Sequence, residues 1–245
     1  SVSAFLLNRS SDLEILLNAG SVTGGTIYYS SDNSTWTTTI PSQTNANTYT
    51  SYWKITGDSN HNDKSSASIS TTIAKAVCCS TAPKATTYTY NGSARALVSG
   101  GSSSCGTMQY CATSTGTYTT TIPTQTNAGS YTTYWKVSND TNHSGTCSGS
   151  VSTTVSKASG SVSTAPTAKT GLKYTGSNQA LVNAGSGTGT MMYKLGTSSW
   201  GTSIPSASTA GSYTVYYKAS ASTNYNESSS GSVACSIAQA SRTLS

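Results

Sequence analysis

Apolar and polar residues alternate along this chain in short runs separated by turn residues. From residue 231 to residue 237, for example, Val233, Cys235 and Ile237 alternate with small or polar residues. Because successive side chains of a strand point to opposite faces, such a strand has one apolar face. In the last third of the chain this pattern predicts strands near residues 169–174, 179–183, 190–195, 212–219 and 231–237, with shorter ones around Trp200.

The same short phrases recur at a fixed interval. Ile-Pro begins at residues 40, 122 and 204, and Trp53-Lys54, Trp135-Lys136 and Tyr217-Lys218 are separated by the same interval. Agreement at several independent positions predicts three copies of one unit. We place the copies at residues 1–75, 76–157 and 158–240; the first has an irregular first strand, the second is rich in cysteine, and residues 241–245 begin a further repeat or form a tail.

A family resemblance supports this division. The run LVNAGS…GTMMYKL…W…SIP…AGSYTVYYK…NYN resembles the bacterial immunoglobulin-like repeats, which occur in tandem in large surface and secreted proteins of bacteria and in some phage virion proteins. The resemblance covers the second and third copies and most of the first. It implies extracellular stalks, spacers and adhesins.

We therefore expect an all-β fold of three tandem immunoglobulin-like β-sandwich domains. The copies are joined by two or three residues, such as Ala74-Lys75-Ala76 and Ser156-Lys157-Ala158, which leaves little slack between domains. The expected arrangement is an elongated rod in which each copy adds about 35–40 Å, at a rise of about 3.3 Å per residue.

A tyrosine follows a tight turn at the same place in each copy, as in Asn-Ala-Gly-Ser-Tyr from residue 127. In immunoglobulin-like sandwiches a tyrosine near the start of the penultimate strand sends its hydroxyl group back to the backbone a few residues upstream. Tyr49, Tyr131 and Tyr213 are the candidates for this tyrosine corner. Two residues later, antibody domains carry a cysteine; here the residues are Ser51, Thr133 and Val215, so the usual disulfide between the sheets is not expected.

Five of the six cysteines lie in the second copy: Cys78, Cys79, Cys105, Cys111 and Cys147. In the inferred sandwich, Cys78, Cys79, Cys105 and Cys147 gather at the junction of the first two copies. We expect at least one disulfide there. A bond between Cys105 and Cys147 is the first choice, and Cys78 or Cys79 is the alternative partner. A four-cysteine zinc site is the rival, although vicinal cysteines lack the usual C-x2-C spacing. Cys235 is expected to be a buried free thiol. For Cys111 the sequence does not indicate whether the thiol is free or bonded.

Two further sets of side chains could form sites. Trp36, Tyr118 and Trp200 recur at the interval of the repeat, and exposed rings at these positions could stack on a glycan or bind a host protein. That regularity favours a role in the core or a turn. His61, His143 and Tyr225 occupy equivalent turns, which favours a ring that packs over the turn. Asp58 and Asp63 form the only close acidic pair worth testing for calcium.

The composition of the chain argues against several classes of function. Only 8% of residues are charged, and the 13 basic residues behind the net charge of +6 are scattered, so we expect no nucleic-acid binding. No apolar run is long enough to span a bilayer, and no membrane insertion is expected. We expect no catalytic, metal or cofactor site and no enzymatic activity. The expected function is a structural spacer, stalk or filament element on a bacterial or virion surface, and the alternative is an adhesion module. Its expected partners are neighbouring domains of the same longer chain or, through self-association, further copies in a filament.

Overall fold

The computed structural model describes residues 13–78 and 80–242, and within these ranges the chain forms strands and turns without a helix. The predicted all-β class is therefore confirmed. Most of the residues predicted to form the irregular first strand precede Leu13, and Cys79 and residues 243–245 also lie outside the described ranges.

The strands follow the three copies in chain order. The first copy contains β1 (Glu14–Ile15), β2 (Gly25–Ser30), β3 (Ser42–Gln43), β4 (Asn47–Gly57) and β5 (Lys64–Ile73). The second contains β6 (Ala76–Val77), β7 (Ser80–Thr81), β8 (Tyr88–Thr89), β9 (Arg95–Ala96), β10 (Ser102–Ser103), β11 (Gly106–Cys111), β12 (Thr124–Gln125), β13 (Gly129–Asn139), β14 (His143–Ser144) and β15 (Ser148–Ser156). The third contains β16 (Val162–Thr164), β17 (Thr167–Ala168), β18 (Gln179–Ala180), β19 (Val182–Asn183), β20 (Ser186–Gly187), β21 (Met191–Leu195), β22 (Ser206–Ala207), β23 (Gly211–Ala219) and β24 (Gly231–Ile237).

A sheet with one long central strand occurs in every copy. The strand orders are β2-β4-β5, β11-β13-β15-β8 and β21-β23-β24. The central strands β4, β13 and β23 pair antiparallel with β2, β11 and β21. This pairing always opposes two aromatic residues: Tyr29 and Trp53, Tyr110 and Trp135, Tyr193 and Tyr217. Cross-strand aromatic pairs of this kind stabilise a sheet and fix its register.

The last strand of each copy buries one face, as the alternation predicted. In β24, Cys235 and Ile237 are buried while Ala234 and Ser236 are exposed. The corresponding residues of the earlier copies, Thr71 and Thr153, are buried too. The Thr71 hydroxyl group donates a hydrogen bond to the Leu16 carbonyl, and that of Thr153 donates one to the Leu97 carbonyl. A buried threonine is tolerated here because its polar group has a partner.

The structure differs from the prediction near the start of the third copy. The continuous strand predicted at 179–183 is divided at Leu181, which is fully buried. The Leu181 amide donates to the Pro205 carbonyl at 3.0 Å, while its own carbonyl accepts the Lys169 amide at 2.9 Å. Before Leu181 the chain pairs with β22, and after it with β17. The strand thus changes partner at one residue, which hydrophobic periodicity does not show.

By compactness the chain divides into two units. One comprises Ser1–Lys84, Val98–Pro123 and Thr132–Val151, and the other comprises Ala85–Leu97, Thr124–Tyr131 and Ser152–Ser245. The three domains at residues 1–75, 76–157 and 158–240 therefore remain a prediction.

One core position carries a different residue in each copy: Ser51, Thr133 and Val215 are all fully buried on the central strands. The hydroxyl groups of Ser51 and Thr133 have no hydrogen-bond partner among the described residues. Burying a hydroxyl group without a partner costs free energy, whereas Val215 carries no such cost.

Exchanging threonine and valine at this position tests the cost directly. We expect Thr133→Val to raise the free energy of unfolding by about 1–2 kcal/mol, because the side chains have nearly the same shape and the unpaired hydroxyl group is removed. Val215→Thr should lower it by about 1–3 kcal/mol. Urea denaturation followed by tryptophan fluorescence measures both changes. A stabilising Val215→Thr would contradict this assignment.

Candidate functional site at the repeat junctions

A short turn near the end of the second copy is organised by Asp140. Its carboxylate accepts a hydrogen bond from the Asn142 amide at 2.9 Å and lies 2.7 Å from Nδ1 of His143. Asp58 holds the equivalent turn of the first copy in the same way, with the Asn60 amide at 2.8 Å and His61 at 2.7 Å. An aspartate that accepts from the amide two residues on is a common turn device.

The histidine hydrogen bond lowers the pKa of each aspartate. His143 is the main cause for Asp140 and His61 for Asp58, because a ring N–H stabilises the charged carboxylate. The histidines thus make a polar contact. In the third copy the equivalent Tyr225 makes a ring contact instead, edge-on to Tyr90 with 5.3 Å between the ring centroids.

The turn places Asn142 against the first copy. Its side-chain oxygen accepts the Ala46 amide at 2.9 Å, and its side-chain nitrogen donates to Oδ1 of Asn45 at 3.1 Å. Its backbone carbonyl also accepts the amide of Ala76, in the linker between the copies, at 3.0 Å. One asparagine therefore joins the turn of one copy, the linker and the next copy.

Asn224 makes the same set of contacts one copy later. Its side chain accepts the Ala128 amide at 2.8 Å and donates to Oδ1 of Asn127 at 3.0 Å, and its carbonyl accepts the amide of the linker residue Ala158 at 2.9 Å. We call these two contact sets, centred on Asn142 and Asn224, the asparagine clamps. Sequence reasoning missed them, although Asn60, Asn142 and Asn224 are evenly spaced at the interval of the repeat and could have signalled a repeated role.

The three candidate corner tyrosines hold the same turns. The hydroxyl groups of Tyr49 and Tyr131 donate to the carbonyls of Asn45 and Asn127, each at 2.9 Å. Tyr213 donates to the Thr209 carbonyl at 2.6 Å. In the first two copies, the turn that receives an asparagine clamp is thus also fixed from its own strand.

The three candidate ligand-facing aromatics do not present bare rings. Trp36, Tyr118 and Trp200 are half-buried. The ammonium groups of Lys54 and Lys136 each lie 4.5 Å from the centroids of Trp36 and Tyr118, and that of Lys218 lies 4.6 Å from Trp200. These are cation–π contacts within the chain.

The cysteines pair differently from the first choice. The disulfide joins Cys78 to Cys105 rather than Cys105 to Cys147, and Cys147 keeps a free thiol. Cys111 and Cys235 are buried free thiols, and burial raises the pKa of Cys235. Cys79, the remaining candidate, lies outside the described residues. The alternation had indicated only which face Cys235 occupies, and sequence spacing alone does not determine a pairing.

Potential metal ligands come together once in the described part of the chain, at Cys78, Cys105 and Cys147. The acidic pair considered for calcium does not form such a group there. Asp58 bonds to His61, while Asp63 accepts the Gly57 amide at 2.8 Å. Both carboxylates hold turns.

Comparisons with known proteins do not identify a family for this chain. No protein-family description matches the chain, and no curated protein is similar in sequence. Among solved structures, Drosophila N-cadherin EC1-4 matches with a TM-score of 0.35 and 11% identity over 97% of this chain and 72% of that one. Fibronectin(III)-like modules of Clostridium thermocellum CbhA match with a TM-score of 0.26 and 12% identity over 66% and 95%. Immunoglobulin domains 1–5 of Sidekick-1 match with a TM-score of 0.22 and 13% identity over 97% and 57%. Similarity at this level assigns no function.

The described residues include no helix of the length and apolarity that a membrane span requires.

Removing a histidine tests the turn electrostatics. We expect His143→Ala to raise the pKa of Asp140 toward its ordinary value of 3.8. Because folding lowers this pKa, the pair contributes stability that is fully present above the ordinary value and is lost as the pH falls through the lowered one. NMR titration of the aspartate carboxyl carbons measures the shift. His61→Ala is the matched control and should move Asp58 alone. If neither variant changes its own aspartate, the assigned cause is wrong.

Proposed function

We propose that this chain is a non-catalytic structural spacer, a stalk or filament element of a bacterial extracellular or virion surface protein. The observation that carries the proposal is the recurrence of the asparagine clamp at both junctions. Its partners in this role are neighbouring immunoglobulin-like domains. The bacterial or virion setting rests on the resemblance of the repeated residues to bacterial immunoglobulin-like repeats.

A spacer requires junctions that resist bending. Each clamp provides two side-chain hydrogen bonds and one backbone hydrogen bond around a linker of two or three residues. At about 0.5–1.5 kcal/mol of net stabilisation for each of the three bonds, a clamp contributes roughly 1.5–4.5 kcal/mol. The second junction has a further bond, from the Lys157 ammonium group to the Ser222 carbonyl at 2.7 Å. Such contacts favour one geometry at each junction over the many that a bare linker would allow.

Adhesion through Trp36, Tyr118 and Trp200 is the second candidate. Half-exposed rings at a regular spacing favour it, since a stacked sugar needs an accessible aromatic face. The lysine ammonium group over each ring weighs against it, because part of that face is already in contact. A reproducible glycan-array signal that Trp200→Ala abolishes would place adhesion ahead of the spacer.

Trypsin can report on each clamp separately. Lys75 and Lys157 are exposed, and each precedes the linker alanine whose amide is bonded at its junction. We expect Asn142→Ala to accelerate cleavage after Lys75 about 5–30-fold, the effect of losing about 1–2 kcal/mol. Cleavage after Lys157 should not change. Asn224→Ala should show the opposite pattern, and mass spectrometry of timed digests measures both rates.

Asn60→Ala supplies the control. Asn60 occupies the same turn position, but the structure describes no clamp at this residue, so both cleavage rates should match those of the unaltered chain. Equal cleavage rates in all four proteins would mean that the clamps do not hold the linkers, and the spacer proposal would lose its main support.

A further inference from the structure

We propose that Cys78, Cys105 and Cys147 form a thiol–disulfide exchange site in which the bond to Cys78 passes between Cys105 and Cys147. Their sulfur atoms lie within 4.8 Å of one another although they come from three separate segments. The Cys147 sulfur is 3.1 Å from the Cys78 sulfur, which is already bonded to Cys105. A free thiol is therefore in contact with the disulfide that it would attack.

The backbone holds the three cysteines independently of their sulfur chemistry. The Cys78 amide donates to the Ser144 carbonyl at 3.0 Å, and the Cys105 carbonyl accepts the Asp140 amide at 2.9 Å. The Cys147 carbonyl accepts the Val137 amide at 2.8 Å. Because these bonds do not involve side chains, the disulfide can change partner through side-chain rotation while the strands keep their pairing.

The exchange balances without an external oxidant or reductant. Cys147 loses its proton, and the thiolate forms a bond to the Cys78 sulfur. The bond between Cys78 and Cys105 breaks, its electron pair stays on Cys105, and that thiolate takes up a proton. The Ser103 hydroxyl group lies 3.0 Å from the Cys105 sulfur and can donate to the departing thiolate while it accepts the Cys105 amide at 3.2 Å.

The third copy indicates that the fold does not need this chemistry. Its equivalent strand pair, β16 with β20, is followed by Thr188, whose hydroxyl oxygen accepts the Ser161 amide at 2.9 Å. In the second copy, the pair β7 with β10 is flanked instead by Cys78 and Cys105. A hydrogen bond therefore connects these segments where no cysteine is present, and Cys147 is one thiol more than a single disulfide requires.

The same observations favour exchange over a metal site. Three thiolates could bind a soft cation, but two of these sulfur atoms are bonded to each other, so the site offers one thiol. Exchange also changes how exposed the free thiol is. In one isomer the free thiol is Cys147, which is partly exposed, and in the other it is Cys105, which is fully buried.

Acid trapping tests the proposal on the full chain without reductant. The protein is incubated at mildly alkaline pH, quenched in acid, alkylated in denaturant and digested with pepsin, and the disulfide peptides are identified by mass spectrometry. We expect two isomers, Cys78 bonded to Cys105 and Cys78 bonded to Cys147. Cys147→Ser should leave only the first and Cys105→Ser only the second, while Ser103→Ala should slow their interconversion several-fold.

Two controls keep the result unambiguous. Every variant is also prepared with Cys79→Ser, so that the neighbouring thiol cannot supply the second isomer. Cys111 and Cys235 should be fully alkylated in all samples, which shows that the quench prevents scrambling. A single isomer after prolonged incubation, or an unpaired Cys78 in the Cys105→Ser variant, would overturn the proposal.

Discussion

Successive copies are connected through a backbone amide in a tight turn. The amides of Ala46 and Ala128 are satisfied by an asparagine side chain from the following copy, Asn142 or Asn224. A buried or half-buried amide without a hydrogen-bond partner costs free energy. The turn is therefore stabilised when the following copy supplies its asparagine. The tyrosine hydroxyl that bonds the same turn adds a constraint from within the copy. The spacer proposal depends on this shared turn.

The two junctions make the same clamp hydrogen bonds, but different side chains support them. At the first, Asp140 organises the loop that presents Asn142 and bonds to His143. At the second, Ser222 replaces the aspartate and Tyr225 replaces the histidine, and the tyrosine ring contacts Tyr90. The clamp asparagine nevertheless accepts the turn amide at 2.9 Å in one junction and 2.8 Å in the other, and it donates to the facing asparagine at 3.1 Å and 3.0 Å. The asparagine is therefore the common element, and the surrounding residues are alternative means of placing it.

The sequence predicted the strands that carry a clear alternation. The bounds of β24 agree with the predicted 231–237, and its buried face holds Cys235 and Ile237 as expected. Long-range hydrogen bonding could not be predicted in the same way, because the change of strand partner at Leu181 does not alter the hydrophobic periodicity. The candidate junction site was missed because asparagine is common in turns, and the regular spacing of Asn60, Asn142 and Asn224 was the only signal of a repeated role. A disulfide in the cysteine cluster was predicted, but its first-choice pairing of Cys105 with Cys147 was wrong. The bond joins Cys105 to Cys78, one of the two alternative partners, because sequence spacing does not determine connectivity.

Amide hydrogen exchange at Ala46 and Ala128 reports directly on the hydrogen bonds that the clamps make. Both amides should exchange more slowly than the amide of Ala210, the equivalent turn residue for which no clamp is described. Asn142→Ala should remove protection at Ala46 alone, and Asn224→Ala at Ala128 alone. Exchange at Ala46 and Ala128 as fast as at Ala210 in the unaltered chain would show that the asparagine side chains do not hold these turns.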